Sequence, residues 1–123
     1  MTLSLDENHA NYQIRAYQKG KIKINEDFFT KSLIVSPTTL ILDWRPQNMA
    51  DLKKEDLQII IPLSPAILLI GTGSELIFPD LEIYGDLINE GIGVEVMDTA
   101  AASRTYTALT AEDRNVVAAL MLN

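Results

Sequence analysis

Three places along the chain carry residues whose types and spacing suit ligand chemistry. The first is Gly71-Thr72-Gly73-Ser74, directly after the apolar run at residues 66–70. Glycines let backbone N–H groups come close to a ligand, and this turn resembles half of a phosphate-gripping loop. The full G-x-G-x-x-G pattern is absent because position 76 is Leu, and the Walker pattern is missing too. A tight strand-end turn is therefore the preferred reading. The second place is Asp98-Thr99, leading into Ala100, Ala101 and Ala102. A helix starting there would present unobstructed N–H groups and a dipole that favours an anion, with Ser103 and Arg104 one turn on. The competing and preferred reading is a helix held tightly to a sheet by its alanines. Asp98 would itself repel an anion if it pointed inward. The third place is Asp43-Trp44-Arg45, where Trp44 either anchors a partner or caps the core. The ligand-binding candidates are thus Gly71, Thr72, Gly73, Asp98, Thr99, Ala100 and Arg104, and the partner-binding candidates are Trp44 and Arg45.

Catalytic groupings are not evident. There is no cysteine, which removes disulfides, thiolate metal sites and thiol catalysis. The one histidine, His9, lies in a polar terminus, a poor place for a triad or a metal ligand. The carboxylate pairs Asp80 with Glu82 and Glu112 with Asp113 fall at expected helix ends, where caps or solvated charges are the simpler reading. No catalytic residue, metal or cofactor is expected, and enzymatic chemistry is unsupported. The formal net charge of −7 would repel nucleic-acid phosphates and anionic membranes. Lys19, Lys21 and Lys23 alternate as a solvated strand face would. The longest apolar stretch, residues 57–70, is broken by Pro62, Ser64 and Pro65 and is too short to span a bilayer. The first ten residues do not resemble a signal or transit peptide. A cytoplasmic protein is expected, with a protein partner, no nucleic acid and no membrane insertion.

These residues need elements to position them. A chain of 123 residues with 47% hydrophobic and 22% charged residues fits one domain, residues 1–123, with residues 1–11 a loose N-terminal segment. Tyr12, Ile14 and Ala16 alternate, Lys19-Gly20 breaks the run, and Ile22 and Ile24 resume it, which predicts a hairpin with Gly20 in a tight primed turn. Residues 28–35 form a second apolar stretch, and residues 38–44 (TTLILDW) a further strand. Leu52, Leu57, Ile60 and Ile61 suit a short helix over residues 52–61. Residues 66–70 (AILLI) read as a strand buried on both faces. Asp80 caps a helix striped with Leu81, Tyr84, Leu87 and Ile88 and closed by Gly91. Residues 94–97 form another strand, and Asp98 caps a helix over residues 99–109. Residues 116–122 fit a buried strand or a buried helix, and Thr110 with Asp113 has the form of a capping box.

The second half therefore alternates strand and helix: 39–43, helix, 66–70, helix, 93–97, helix. That pattern predicts α/β architecture with right-handed crossovers. The strands ending at Ile70 and Met97 are expected side by side in the middle of the sheet, parallel and dry on both faces. Three short helices are few for two faces, so the N-terminal hairpin and the strand near Leu33 are expected to cover the other one.

From Ile67-Leu68-Leu69-Ile70-Gly71-Thr72-Gly73 the chain resembles a known family. The likeness strengthens over residues 91–106 (GIGVEVMDTAAASRTY), and SLIVSP at residues 32–37, Trp44 and the closing VVAAL at residues 116–120 fit in order. It is similar, over nearly everything from Tyr12 to Leu122, to the bacterial, archaeal and mitochondrial family of unknown function that includes complex I assembly factor 3. The resemblance implies three layers, β/β/α, with a central mostly parallel sheet, helices on one face and an antiparallel sheet on the other. It implies that residues 116–122 are a strand. For function it implies a protein-interaction or complex-assembly role and supplies no catalytic residue. Many relatives carry Cys where this chain has Ser103, so a thiol role at that position cannot operate here. A small-molecule or anion-binding protein, or an enzyme, using a cleft between Gly71–Gly73 and Asp98–Ala102 is the alternative.

Overall fold

The alternating residues near the N-terminus fold as the hairpin their pattern predicts. In the computed structural model, which describes residues 8–123, β1 (Ile14–Gln18) and β2 (Lys21–Ile24) pair antiparallel across Lys19-Gly20. Gly20 has φ of +86° and Lys19 stays out of the left-handed region, so only the second turn residue is left-handed and the turn is not a primed one. β3 (Asp27–Phe29) completes a three-stranded antiparallel sheet in the order β1-β2-β3. Of the expected loose segment, residues 1–7 lie outside the described residues. Asn8 Nδ2 donates to Thr110 Oγ1 at 2.8 Å and the Asn11 N–H to the Pro37 carbonyl at 2.9 Å, so residues 8–11 are tied to the body.

The stretch expected at residues 28–35 divides between two sheets. β4 (Leu33–Val35), buried throughout, enters the larger sheet, whereas exposed Phe28 stays on the small one. Ser36 then turns the chain: its N–H donates to the Thr39 carbonyl at 2.8 Å and its Oγ accepts from the Thr39 N–H at 2.9 Å. The result is a hairpin to β5 (Leu40–Ile41), which is antiparallel to β4. This corrects the reading of residues 39–43 as the first of several parallel strands. Asp43, with φ of +56°, ends β5 early.

β6 (Ile67–Thr72), β7 (Gly93–Met97) and β8 (Val116–Met121) complete a mixed sheet in the order β5-β4-β8-β6-β7. β6 pairs parallel with both β7 and β8, and β8 pairs antiparallel with β4. The strand ending at Ile70 is dry, as expected. The strand ending at Met97 is not: β7 is an edge strand with Gly93 and Glu95 exposed. A carboxylate at its centre suits an edge, which water reaches. The central place belongs to β8, all six of whose residues are buried. Residues 116–122 are thus a strand, and Thr110 to Asp113 close the preceding helix instead of opening a new one.

Alternate residues of the central strands feed two cores. Leu33, Val35, Leu69, Val116, Ala118 and Leu120 face the small sheet, through Ile14, Ile22 and Ile24, and helix α2 (Thr99–Ala111), through Ala102 and Tyr106. Ile34, Leu68, Ile70, Val117, Ala119 and Met121 face helix α1 (Leu81–Asn89), through Leu87, and the segment carrying Leu57 and Ile60. The mixed α/β layering is present, with α2 beside the small sheet and α1 on the opposite face. The segment expected as a helix over residues 52–61 is a 3₁₀ helix, Lys54–Leu63. Its buried Leu57 and Ile60 are three apart, one 3₁₀ turn, and Pro62 with the β-branched Ile59-Ile60-Ile61 run disfavours the α form.

Candidate functional site

The ends of β6 and β8 and the start of α2 meet in a polar junction. Asp98 caps α2 as its spacing predicts, Oδ1 accepting from the Ala101 N–H at 2.8 Å. Thr99 is fully buried; its Oγ1 accepts from the Gly73 N–H at 2.8 Å and donates to the Met121 carbonyl at 2.5 Å. The Thr99 N–H donates to the Gly73 carbonyl at 2.9 Å. Thr72 Oγ1 donates to the Glu75 carbonyl at 2.6 Å. The glycines serve close packing. A Cβ at Gly71 would lie 2.9 Å from Thr99 Oγ1, and one at Gly73, whose φ is +98°, would run into the Asn123 carbonyl oxygen. Gly71, Thr72, Gly73, Asp98 and Thr99 are therefore brought together; Gly73 and Thr99 bond to each other, while Thr72 bonds to Glu75 and Asp98 to Ala101.

Trp44 is buried, and its Nε1–H donates to the Asp56 carbonyl at 3.0 Å. Arg45 grips Asp56 with two bonds, Nε to Oδ1 at 2.8 Å and Nη2 to Oδ2 at 2.6 Å, and reaches the Asp51 carbonyl with the same Nη2. The Arg45 hydrogen bond holds the Asp56 carboxyl below its ordinary value against the opposing effect of burial, aided by the Lys53 N–H at 2.8 Å. Trp44 thus belongs to the core, and Arg45 fastens the loop after β5 to the 3₁₀ segment. His9 stands at the surface, its Nδ1 3.8 Å from Asp113.

Ala100 and Arg104 point elsewhere. With Ser103 and Thr107 they form one wall of a groove of about 360 Å³, whose other wall is residues 14–17 of β1. Ser103 Oγ donates to the Thr99 carbonyl at 2.8 Å and Thr107 Oγ1 to the Ser103 carbonyl at 3.1 Å, so both hydroxyls turn onto their own helix. Tyr17 Oη donates to the Leu122 carbonyl at 2.9 Å; burial first, then the Asp98 charge, raises its pKa. The groove lining holds no nucleophile with a base beside it. Among the described residues no cluster of His, Asp and Glu is suited to a metal ion.

One surface departs from the sequence reading, in which Leu81 and Ile88 share the packed stripe of α1; of that stripe Leu87 alone is buried. Leu76, Ile77 and Phe78 follow the glycine turn and are exposed, and Leu81 and Ile88 extend them along one side of α1. Phe78 is 70% and Leu81 64% exposed, far more than large apolar residues buried in a core. The available signal was three successive large apolar residues between Glu75 and Pro79, with no period that would bury them.

The two sheets and the α1 and α2 covers define a mixed α/β fold, and its arrangement has close counterparts. A crystal structure of a Bordetella parapertussis protein superimposes with a TM-score of 0.85 at 37% identity, covering 91% of this chain and 96% of that one. Residues 14–121 match the family described as protein of unknown function (DUF498/DUF598), and the chain belongs to that family. It is 33% identical over 118 residues to the "13 kDa major membrane protein" of Francisella tularensis subsp. holarctica, covering 94% of this chain and 95% of the relative. It is also 33% identical over 120 residues to "NADH dehydrogenase [ubiquinone] 1 alpha subcomplex assembly factor 3" of Xenopus tropicalis. There the match covers 95% of this chain but 65% of the relative. Among the described residues, no helix is long and apolar enough to cross a membrane.

Proposed function

We propose that this protein is a non-enzymatic interaction factor that helps assemble a larger protein complex. The observation that carries this reading is the exposed apolar surface of Leu76, Ile77, Phe78, Leu81 and Ile88. Large apolar side chains left exposed together in one stretch of a folded domain are a mark of partner-binding sites. The assembly-factor relative supports the same direction. We assign the work to the cytoplasm, because a cysteine-free chain needs no oxidising compartment to fold. We adopt no small-molecule reading at Gly71, Thr72, Gly73, Asp98 and Thr99, since hydrogen bonds within the junction already engage the Gly73 N–H and the Thr99 hydroxyl.

The test is capture of native partners by the full chain, compared with Phe78→Asp/Leu81→Asp, followed by crosslinking. A stable partner, crosslinked near residues 76–88 and lost from the variant, is expected, while the variant keeps the parent's urea midpoint because both side chains are already exposed. Retention of every captured protein by the folded variant would refute this reading.

A further inference from the structure

We infer that the groove between β1 and α2 takes a short, extended, acidic peptide segment of a partner protein, which adds to β1 as a new strand of the small sheet.

The lining of the groove sets its geometry. Residues 14, 15, 16 and 17 all contribute. A strand viewed on its face offers alternate residues; here four in succession border the groove, across the register shift between Ile14 and Ala16. Among the described residues, β1 is an outer strand whose one strand partner is β2. Its register with β2 shifts between Ile14 and Ala16, a bulge of the kind found at sheet edges beside binding sites. The other wall, Ala100, Ser103, Arg104 and Thr107, follows i, i+3, i+4, i+7 spacing and is one stripe of α2. Ala100 and Ser103 are small, so the groove stays open above the packing of α2 on β1 and can receive a guest backbone. An open strand edge beside a helix is suited to pairing with an extended peptide, and the volume lies within the usual range of ligand sites.

Charge identifies the guest. Residues 14–24 and 99–111 hold five of the ten Lys and Arg residues and none of the seventeen Asp and Glu residues. Of these, Arg15 and Arg104 line the groove itself, so its walls carry two cations and no carboxylate in a chain whose net charge is −7. Among the described residues, neither Arg15 nor Arg104 forms an ion pair. Among the described residues, the carboxylate whose charge reaches the groove wall at Tyr17 is Asp98, which is occupied in capping α2 beyond the Ala100 end. Carboxylates of a guest are therefore favoured around Arg15 and Arg104, away from Asp98. This site is separate from the apolar surface at residues 76–88.

The probe is a short synthetic peptide alternating valine with glutamate, blocked at both ends and titrated into the ¹⁵N-labelled full chain. Amide shifts are expected along residues 14–18 and 100–107, with binding weakened about tenfold or more by Arg15→Glu/Arg104→Glu. Arg104→Lys should retain most of the affinity, which separates loss of charge from loss of fold. Phe78→Asp should leave peptide binding unchanged, so failure here and failure of the apolar surface are distinguishable. Equal binding of a valine–lysine peptide, shifts elsewhere, or no binding at millimolar peptide would overturn the inference. So would protection of the residue 2–6 and β1 amides from hydrogen exchange in the peptide-free protein, which would assign the groove to the chain's own terminus. Dimerisation that the peptide reverses would assign it to a second copy.

Discussion

Thr99 shows how much can depend on one hydroxyl. It is a β-branched residue in the first turn of a helix, where its intrinsic preference is unremarkable. Its position matters because Oγ1 joins three elements: the Gly73 N–H after β6, the Met121 carbonyl at the end of β8, and α2 itself. Removing it strands a donor and an acceptor away from water. Thr99→Val, which keeps the shape, should therefore lower stability by about 1–3 kcal/mol, with Thr99→Ser recovering most of the loss. Urea denaturation of the three proteins checks this; a Val variant as stable as the parent would mean that water reaches the junction. The same residue explains a limit of sequence reading. Gly71, Gly73 and Thr99 do meet in the fold, as their places at strand and helix ends suggest. A free N–H that awaits an anion and one already bonded across the fold look identical in sequence.

The elements were legible where the period and the caps agree. The hairpin with Gly20, the strand at Ile67–Thr72, the helix ending before Gly91 and the helix capped by Asp98 all follow from local signals. What local signals lack is the partner of each strand. TTLILDW reads as a long strand, yet the Ser36 turn folds it against β4, and Asp43 enters the left-handed region. β7 reads as central from Val94 and Val96, although Glu95 between them favours the edge it occupies. The β1–α2 groove was illegible for a similar reason: its walls lie more than eighty positions apart in the sequence. A prediction at this scale concerns how α2 meets β1. Tyr17 is raised first by burial and then by the Asp98 charge, and burial raises Tyr106 further. In alkali the unfolded chain should release its phenolic protons first, so stability should fall as the pH climbs past the ordinary value of 10.0. Asp98→Asn keeps a good helix cap while removing the charge. The Tyr17 midpoint, followed by phenolate absorbance or NMR, should move down towards the ordinary value and stop above it, because burial remains. An unmoved midpoint would mean that Asp98 and Tyr17 do not sense each other.

On the scale of the whole molecule, β8 makes two cores behave as one. Its residues alternate between the layers: Val116, Ala118 and Leu120 face the small sheet and α2, while Val117, Ala119 and Met121 face α1 and the 3₁₀ segment. Neither core can lose its central wall without exposing the other. The two should therefore unfold in one step, as domains of this size usually do. The chain supplies its own reporter, since its one tryptophan, Trp44, lies in the second core. Leu120→Ala opens a cavity in the first core alone and should cost about 2–5 kcal/mol. The Trp44 fluorescence midpoint in urea should fall by the same amount as the far-UV circular dichroism midpoint, although Trp44 belongs to the other core. Divergent midpoints would show that the layers melt separately. Coupling of this kind also bears on the proposed function. The side chains that the two candidate docking surfaces offer a partner, Leu76 to Phe78 with Leu81 and Ile88 on one and Arg15 with Arg104 on the other, stand outside the two cores. Charge changes there should alter what binds without altering whether the molecule holds together.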